Sequence, residues 1–536
     1  MKYKILLSLG FSVSLGMSFS LAAQTSSTAI NTDSTGIPFG TMASQSGSPA
    51  KQASEFTSPS STLYVPTKVN GQTITPQTSS GSEQVSSKMA LTPIPVSGGE
   101  VSSVPPMDAH ISQGKYLTEA ADCSVCHTAS GGKPYAGGLP FKTPFGTMYS
   151  SNITPDKEFG IGNWSAEEFI DAVKHGKRND GENLYPSMPY TSYVKLTDDD
   201  ARSIYDYLMT LPAEHHAPPA NEMEFPYNQR WALTFWNILN FKDEDFTRVT
   251  EKSTEWNRGA YVADALGHCQ ECHTPRDISM GLKSDESYAG TSIDGWKAFN
   301  ISPSIADGIG SWSTSEIVQY LRSGSVPGKA TAAGPMAEVI SHSTRYMTDT
   351  DLNALAVYLK DQPARGSDKG SDRFSQGNAV DNITLQVRGQ ALSDSPNGAT
   401  LYNANCASCH GIDGAGIGKK LYYPSLFHNS TTGADDASNL VMVILNGVDR
   451  TDAQGRHIVM PAFSNELSSD EIATLATYVT KNFGNPNAEV TADQVEKLRL
   501  NEVTVIPGWL LISGGGIGVL IVLAIIAIFI KKRRKI

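Results

Sequence analysis

EAADCSVCHTASGG, Glu119 to Gly132, is the stretch on which the fold turns. Cys123 and Cys126 stand two residues apart and His127 follows at once. The pattern returns as CQECH (Cys269, Cys272, His273) and CASCH (Cys406, Cys409, His410), and these three motifs use all six cysteines of the chain. C-x-x-C-H is the attachment signature of c-type haem. Two thiols one helical turn apart reach the two vinyl groups along one haem edge, and the adjacent histidine then lies under the iron as its proximal ligand. A structural zinc site would need four ligands in paired clusters, and three isolated units leave odd counts. Redox-active C-x-x-C pairs occur singly within thioredoxin-like βαβ patterns, and none surrounds these.

Outward from each motif the sequence repeats itself. Helical stretches of similar texture lead in: ISQGKYLTEAADC, WNRGAYVADALGHC and PNGATLYNANC. After the first two motifs comes a shared phrase, SNITPDKEFGIGNWSAEEFIDAVKHG and FNISPSIADGIGSWSTSEIVQYLRSG, with Asn152/Asn300 and Trp164/Trp312 in register. Ser165 and Ser313 are the expected N-caps of the helices that follow. The third copy lacks the phrase but has SNLVMVILNGV at the equivalent place. Each copy closes with another capped helix, opened by Thr197, Thr348 and Ser468. This predicts an all-α fold of three tandem class-I-like cytochrome c domains, each haem standing in for much of a small domain's core.

The sixth iron ligand is sought just before each closing helix. Met188 (YPSMPY), Met336 (GPMAE) and Met460 (IVMPAF) each adjoin a proline, 50 to 63 residues after the motif histidine. A thioether is a soft ligand that suits haem iron and raises its potential. His175, His342 and His457 are the rivals, His457 the nearest. Met209, Met347 and Met442 read as core, and Met148, Met223 and Met280 show no recurring context. With His below and Met above, the irons are closed and pass electrons; no catalytic residue is assigned.

The ends suggest export and anchoring. Lys2 and Lys4, an apolar run and small residues near Ala23 are laid out as a signal peptide, with an uncleaved anchor helix as the alternative. Trp509 to Ile530 is apolar throughout and is followed by Lys531 to Lys535, which predicts a C-terminal transmembrane helix with its tail in the cytoplasm. The expected location is the bacterial cytoplasmic (inner) membrane, with the haem domains on the periplasmic side. A net charge of −12 argues against nucleic-acid binding. The expected organisation is 1–23 signal peptide, 24–105 a Ser/Thr/Gly/Pro-rich disordered segment, 106–250 and 251–366 the first two domains, 367–390 a linker and 391–486 the third. Beyond these lie a linker at 487–507, the span at 508–530 and a basic tail at 531–536.

Over roughly Met107 to Phe483 the motifs and phrases, among them NLYPSMPYTSYVKLTDDDARSIYDYL and VMPAFSNELSSDEIATLATYV, resemble the triheme cytochrome c subunit of bacterial membrane-bound dehydrogenases for alcohols, gluconate, sorbitol or fructose. The resemblance implies three covalently bound haem c groups on the cysteines, histidines and methionines already named. It also implies a large quinoprotein (PQQ) or flavoprotein dehydrogenase subunit as electron donor, and ubiquinone in the membrane as acceptor. The alternative is an electron carrier to a terminal oxidase or other reductase with no dedicated dehydrogenase. The chain itself is expected to be an electron-transfer subunit without a substrate-oxidising site of its own.

Overall fold

A computed structural model describes residues 108–367, 372–380, 387–388, 397–417 and 422–500. The first copy runs α1 (Ala109–Ala120), α2 (Cys123–Cys126), α3 (Ala166–His175), α4 (Tyr190–Tyr193) and α5 (Asp198–Leu208). After α6 (Leu233–Asn240), the second copy runs α7 (Thr254–Tyr261), α8 (Cys269–His273), α9 (Thr314–Ser323), α10 (Gly334–His342) and α11 (Asp349–Lys360). The third has α12 (Gly398–Asn405), α13 (Ala407–His410), α14 (Ser438–Asn446) and α15 (Ser469–Phe483), and α16 (Ala492–Leu500) follows.

Local chemistry sets the helix starts. Ser165, Ser313 and Ser468 each form a capping box with the glutamate three residues on, Glu168, Glu316 and Glu471. Thr197 and Thr348 accept from the backbone N–H of Asp200 and Asp351. Within every copy the opening helix crosses the closing one at a glycine. A Cβ on Gly114 would lie 1.9 Å from the Ser203 carbonyl oxygen, one on Gly259 2.0 Å from that of Ala354, and one on Gly398 2.4 Å from Tyr478 Cβ. Only a residue without a side chain permits so close an approach.

The expectation of an all-α fold ending in a transmembrane helix is corrected on both counts. Short antiparallel ribbons interrupt the helices: β1 (Pro140–Thr143), β2 (Gly146–Tyr149) and β3 (Glu222–Met223) form one sheet. The pairs β4 (Thr291–Ile293) with β5 (Trp296–Ala298), β6 (Ser325–Val326) with β7 (Ala330–Thr331), and β8 (Val448–Thr451) with β9 (His457–Met460) form three more. The loops around each motif are long, and folding back on themselves satisfies their backbone groups. The methionines follow suit: Met188 lies in a turn before α4, Met336 in the first turn of α10, and Met460 on β9. Among the described residues no helix is long and apolar enough to cross a membrane, so the fold does not carry the single-span anchor or the inner-membrane location. The stretch 508–530 on which that expectation was placed lies outside the described residues, as do 1–23, 24–105 and the basic tail.

One apolar core runs through the first two copies, from Leu117 and Leu208 to Leu266 and Leu359, while the third has its own around Tyr402, Leu445 and Phe483. The shared core follows from reciprocal packing. Tyr116 of α1 donates to Asp351 of α11 at 2.5 Å and accepts from Thr348 N, while Tyr261 of α7 donates to Asp200 of α5 and accepts from Thr197 N. Each copy likewise lays its methionine-bearing region on the other's attachment motif. Ser343 of the second copy donates to Ala120 O at 3.1 Å, just before Cys123, while Thr191 and Ser192 of the first both reach Glu271 within CQECH at 2.9 Å. The third copy docks on the second: Asn439 of α14 pairs with both backbone groups of Lys297, and Arg450 of β8 donates to Gly324 O and Ala332 O.

Candidate haem-binding sites

The first two attachment helices begin after a residue in the left-handed region, Asp122 (φ 58°) and His268 (φ 36°), which turns the chain sharply out of the opening helix. One helical turn then carries Cys123 and Cys126, Cys269 and Cys272, or Cys409 just after Cys406 at the α13 N-cap. All six cysteines are free of disulfides. Burial pushes the thiols of Cys123, Cys126, Cys269 and Cys406 up to about 12 and that of Cys272 to about 11. A redox-active pair needs the opposite, a thiol acidified into thiolate.

The three motif histidines are held identically. Nδ1 of His127 lies 2.7 Å from Ser151 O, that of His273 2.7 Å from Phe299 O, and that of His410 2.9 Å from Pro424 O. A carbonyl oxygen only accepts, so Nδ1 carries the proton and donates, which leaves the Nε2 lone pair free. Burial lowers the pKa of all three against the smaller opposing effect of these bonds, keeping the rings neutral. A neutral imidazole with one nitrogen donated to backbone is the standard preparation of a metal ligand.

The rival histidines are engaged elsewhere. His175 faces Asp171 and Asp243 at 3.1 and 3.4 Å, His342 faces Glu338 at 3.4 Å, and His457 faces Asp449 at 2.6 Å. On β9, His457 and Met460 are three residues apart and therefore point to opposite faces; Met460 shares the inward face with buried Ile458. Met188 and Met336 are partly buried against the shared core. Met347 and Met442 are buried core, as expected. Among the described residues no group of three His, Cys, Asp or Glu side chains is placed to hold a metal by itself.

The repeated phrase proves to be scaffolding for this site. Asn152 directly follows Ser151 and Asn300 directly follows Phe299. Their side chains accept from Thr154 N and Ser302 N and donate to carbonyls past the closing helix, Glu214 O and His216 O in one copy and Arg365 O in the other. The loop presenting the histidine's acceptor is thereby tied to the far end of its own domain. The sequence carried the signal, in the two asparagines in register, but not their purpose.

A thiol pair one turn apart, followed by a partly buried neutral imidazole with Nε2 free, has the donor set that c-type haem requires, and it defines domains of the cytochrome c class with covalently bound haem. Residues 111–212 match the family described as cytochrome c, and residues 394–479 match cytochrome c oxidase, cbb3-type, subunit III. The chain is 41% identical over 455 residues to the fructose dehydrogenase cytochrome subunit of Gluconobacter japonicus, covering 80% of this chain and 93% of that one. It is 37% identical over 408 residues to the gluconate 2-dehydrogenase cytochrome c subunit of Pantoea cypripedii, covering 74% and 90%. The cytochrome c subunit of the quinone-type alcohol dehydrogenase of Gluconobacter oxydans is 36% identical over 427 residues, covering 76% and 86%. The chain belongs to this family of dehydrogenase cytochrome c subunits.

Proposed function

We propose that the chain binds three haem c groups, at Cys123/Cys126, Cys269/Cys272 and Cys406/Cys409, and relays electrons from a PQQ- or flavin-dependent dehydrogenase subunit to ubiquinone. His127, His273 and His410 are the proximal ligands in this reading, and Met188, Met336 and Met460 the distal ones. The observation that carries it is the threefold recurrence of an Nδ1–H bond to a backbone carbonyl beside two free thiols. When bound, each haem supplies a one-electron iron couple whose potential thioether ligation raises. The residues supply the rest: the carbonyls of Ser151, Phe299 and Pro424 fix the imidazoles, and the interlocked motifs of the first two copies hold two sites side by side. The relatives' names support a dehydrogenase donor, and its cofactor and the ubiquinone acceptor are drawn from the motif resemblance.

The test is the mass of the purified full chain together with its spectrum. Three covalent haems, low-spin and unreactive toward carbon monoxide, support the reading, and co-purification of a large flavoprotein or quinoprotein supports the donor. Fewer than three haems would refute it. A second reading, a carrier to a terminal oxidase, draws on the oxidase-subunit match of the third copy. Reduction of an oxidase by a chain that purifies without any dehydrogenase would favour it.

A further inference from the structure

The opening helices of the first two copies differ in one respect that bears on the haem beside them. Tyr116 is separated from Cys123 by six residues and the matching Tyr261 from Cys269 by seven. The extra residue is absorbed by a single π turn, Val262–Leu266, closed by Gly267 N–H to Val262 O at 2.7 Å. Single π turns of this kind are rare and cluster at functional sites, and Asp264 lies in the middle of this one.

Its carboxylate receives three donors. The Tyr288 hydroxyl and Gln270 Nε2 donate to one oxygen, the latter at 2.8 Å, and the Tyr358 hydroxyl donates to the other at 2.6 Å. Both phenols are buried, and the acid itself is partly covered. Among the described residues no cationic side chain pairs with it, so the negative charge is held by neutral dipoles and is not cancelled. Asp264 is also the foremost charge acting on Cys269.

The other copies lack this device. Glu119 holds the matching place in the first, with Tyr135 and Tyr207 where the second has Tyr288 and Tyr358, yet it faces Lys115 at 3.8 Å. In the third, the position four before the first cysteine is Tyr402, whose hydroxyl donates to Gly411 O. Three further acids act on the second motif, among them Asp294 in the β4–β5 turn, whose pKa burial raises. Glu271 is met by Arg276 at 2.6 Å. Asp122 is 7% exposed with one oxygen lacking a donor, and burial raises its pKa well above the usual carboxylate range.

We infer that Asp264 is a fixed anion that sets the reduction potential of the haem at Cys269 and Cys272, making it the low-potential member of the three. The inference deepens the reading above and rests on it. A nearby negative charge favours the oxidised iron, which carries one more positive charge than the reduced one. At an effective dielectric near 20, removing a unit charge roughly 12 Å from the iron changes a one-electron equilibrium by about tenfold.

Spectroelectrochemical titration of the full haem-loaded chain tests this. Asp264→Asn moves one midpoint, the lowest, upward by about 59 mV, which is tenfold for a one-electron couple, and leaves the other two in place. Gln270→Lys, which keeps the acid and both phenols and sets an ammonium against them, moves the same midpoint the same way. An Asp264→Asn protein with three bound haems and three wild-type midpoints overturns the inference and leaves the triheme reading intact. If that variant loses a haem, unchanged midpoints in Gln270→Lys overturn it instead. A wild-type chain with fewer than three haems overturns the underlying reading and the inference with it.

Discussion

The reciprocal joint between the first two copies makes an asymmetric prediction. Asp351 sits at the start of α11 with 7% of its side chain exposed. It accepts from Arg258 Nε and Nη2, both at 2.7 Å, and from the Tyr116 hydroxyl at 2.5 Å. Its counterpart Asp200 accepts from Tyr261, but the place of Arg258 is taken in the first copy by Gln113, and Asp200 is only partly buried. Hydrogen bonds to charged groups contribute about 1.5–3 kcal/mol each. Asn at position 351 retains one acceptor and turns a donor against the guanidinium. Arg258 is one-third exposed and recovers part of its hydration, so the net cost of Asp351→Asn is about 2–3 kcal/mol, at the lower edge of what breaking a buried pair costs. Asp200→Asn costs under about 1 kcal/mol. Urea unfolding followed at the haem band and by far-ultraviolet circular dichroism reads both, as a fall in midpoint at unchanged slope. A pH arm checks the cause. Burial alone would push the pKa of Asp351 up, but the bonds from Arg258 and Tyr116 outweigh it and leave it below the ordinary 3.8. A carboxylate with a depressed folded-state pKa contributes its full stability above the unfolded value and loses it as pH falls through the folded one. The gap between wild type and Asp351→Asn is therefore constant near neutrality and closes below about pH 3.8. Equal destabilisation by Asp351→Asn and Asp200→Asn, or a gap that widens in acid, would refute the reasoning.

Further outcomes can be read from single substitutions. Gly259→Ala drives a methyl into the Ala354 carbonyl and destabilises the chain by at least about 2 kcal/mol, seen in the same urea titration. Met460→Leu keeps three haems by mass but opens one iron to carbon monoxide, whereas His457→Ala leaves carbon monoxide binding at the wild-type level because its ring points away from Met460 and toward Asp449. Ser313→Ala removes the α9 capping box at a cost of about 1 kcal/mol, measured as a lower thermal midpoint with haem content unchanged.

What could be read from the chain and what could not divide along the range of the forces involved. Ser165, Ser313 and Ser468 were legible as caps because the capping box closes within four residues. The motif histidines were legible because each follows directly on two cysteines within one helical turn. Ribbons such as β6 with β7, two residues each, were not, since two residues cannot establish an alternation. The carbonyls that orient the imidazoles carry no side-chain signature at all, and only the asparagines beside two of them repeat. The joint between copies was least accessible. Tyr116 and Asp351 are 235 positions apart, and nothing near either residue marks the other as its partner.

That joint also accounts for a difference among the three copies. The first two retain the shared phrase, and each reaches the other's attachment motif, Ser343 to Ala120 O and Ser192 to Glu271, within one continuous apolar core. The third has dropped the phrase, fills its own core with Tyr402, Leu445 and Phe483, and meets the second copy through Trp296 at the edge of that core together with polar and backbone contacts. Reciprocal burial forces two sites into fixed proximity, and a smaller, mixed seam sets the third beside them, with two separate clusters of buried apolar residues. Unfolding should therefore proceed in two steps, the third copy separating from a pair that melts as one. The Asp351→Asn variant lowers only the step belonging to the pair, and a single transition for the whole chain in that variant would contradict this division.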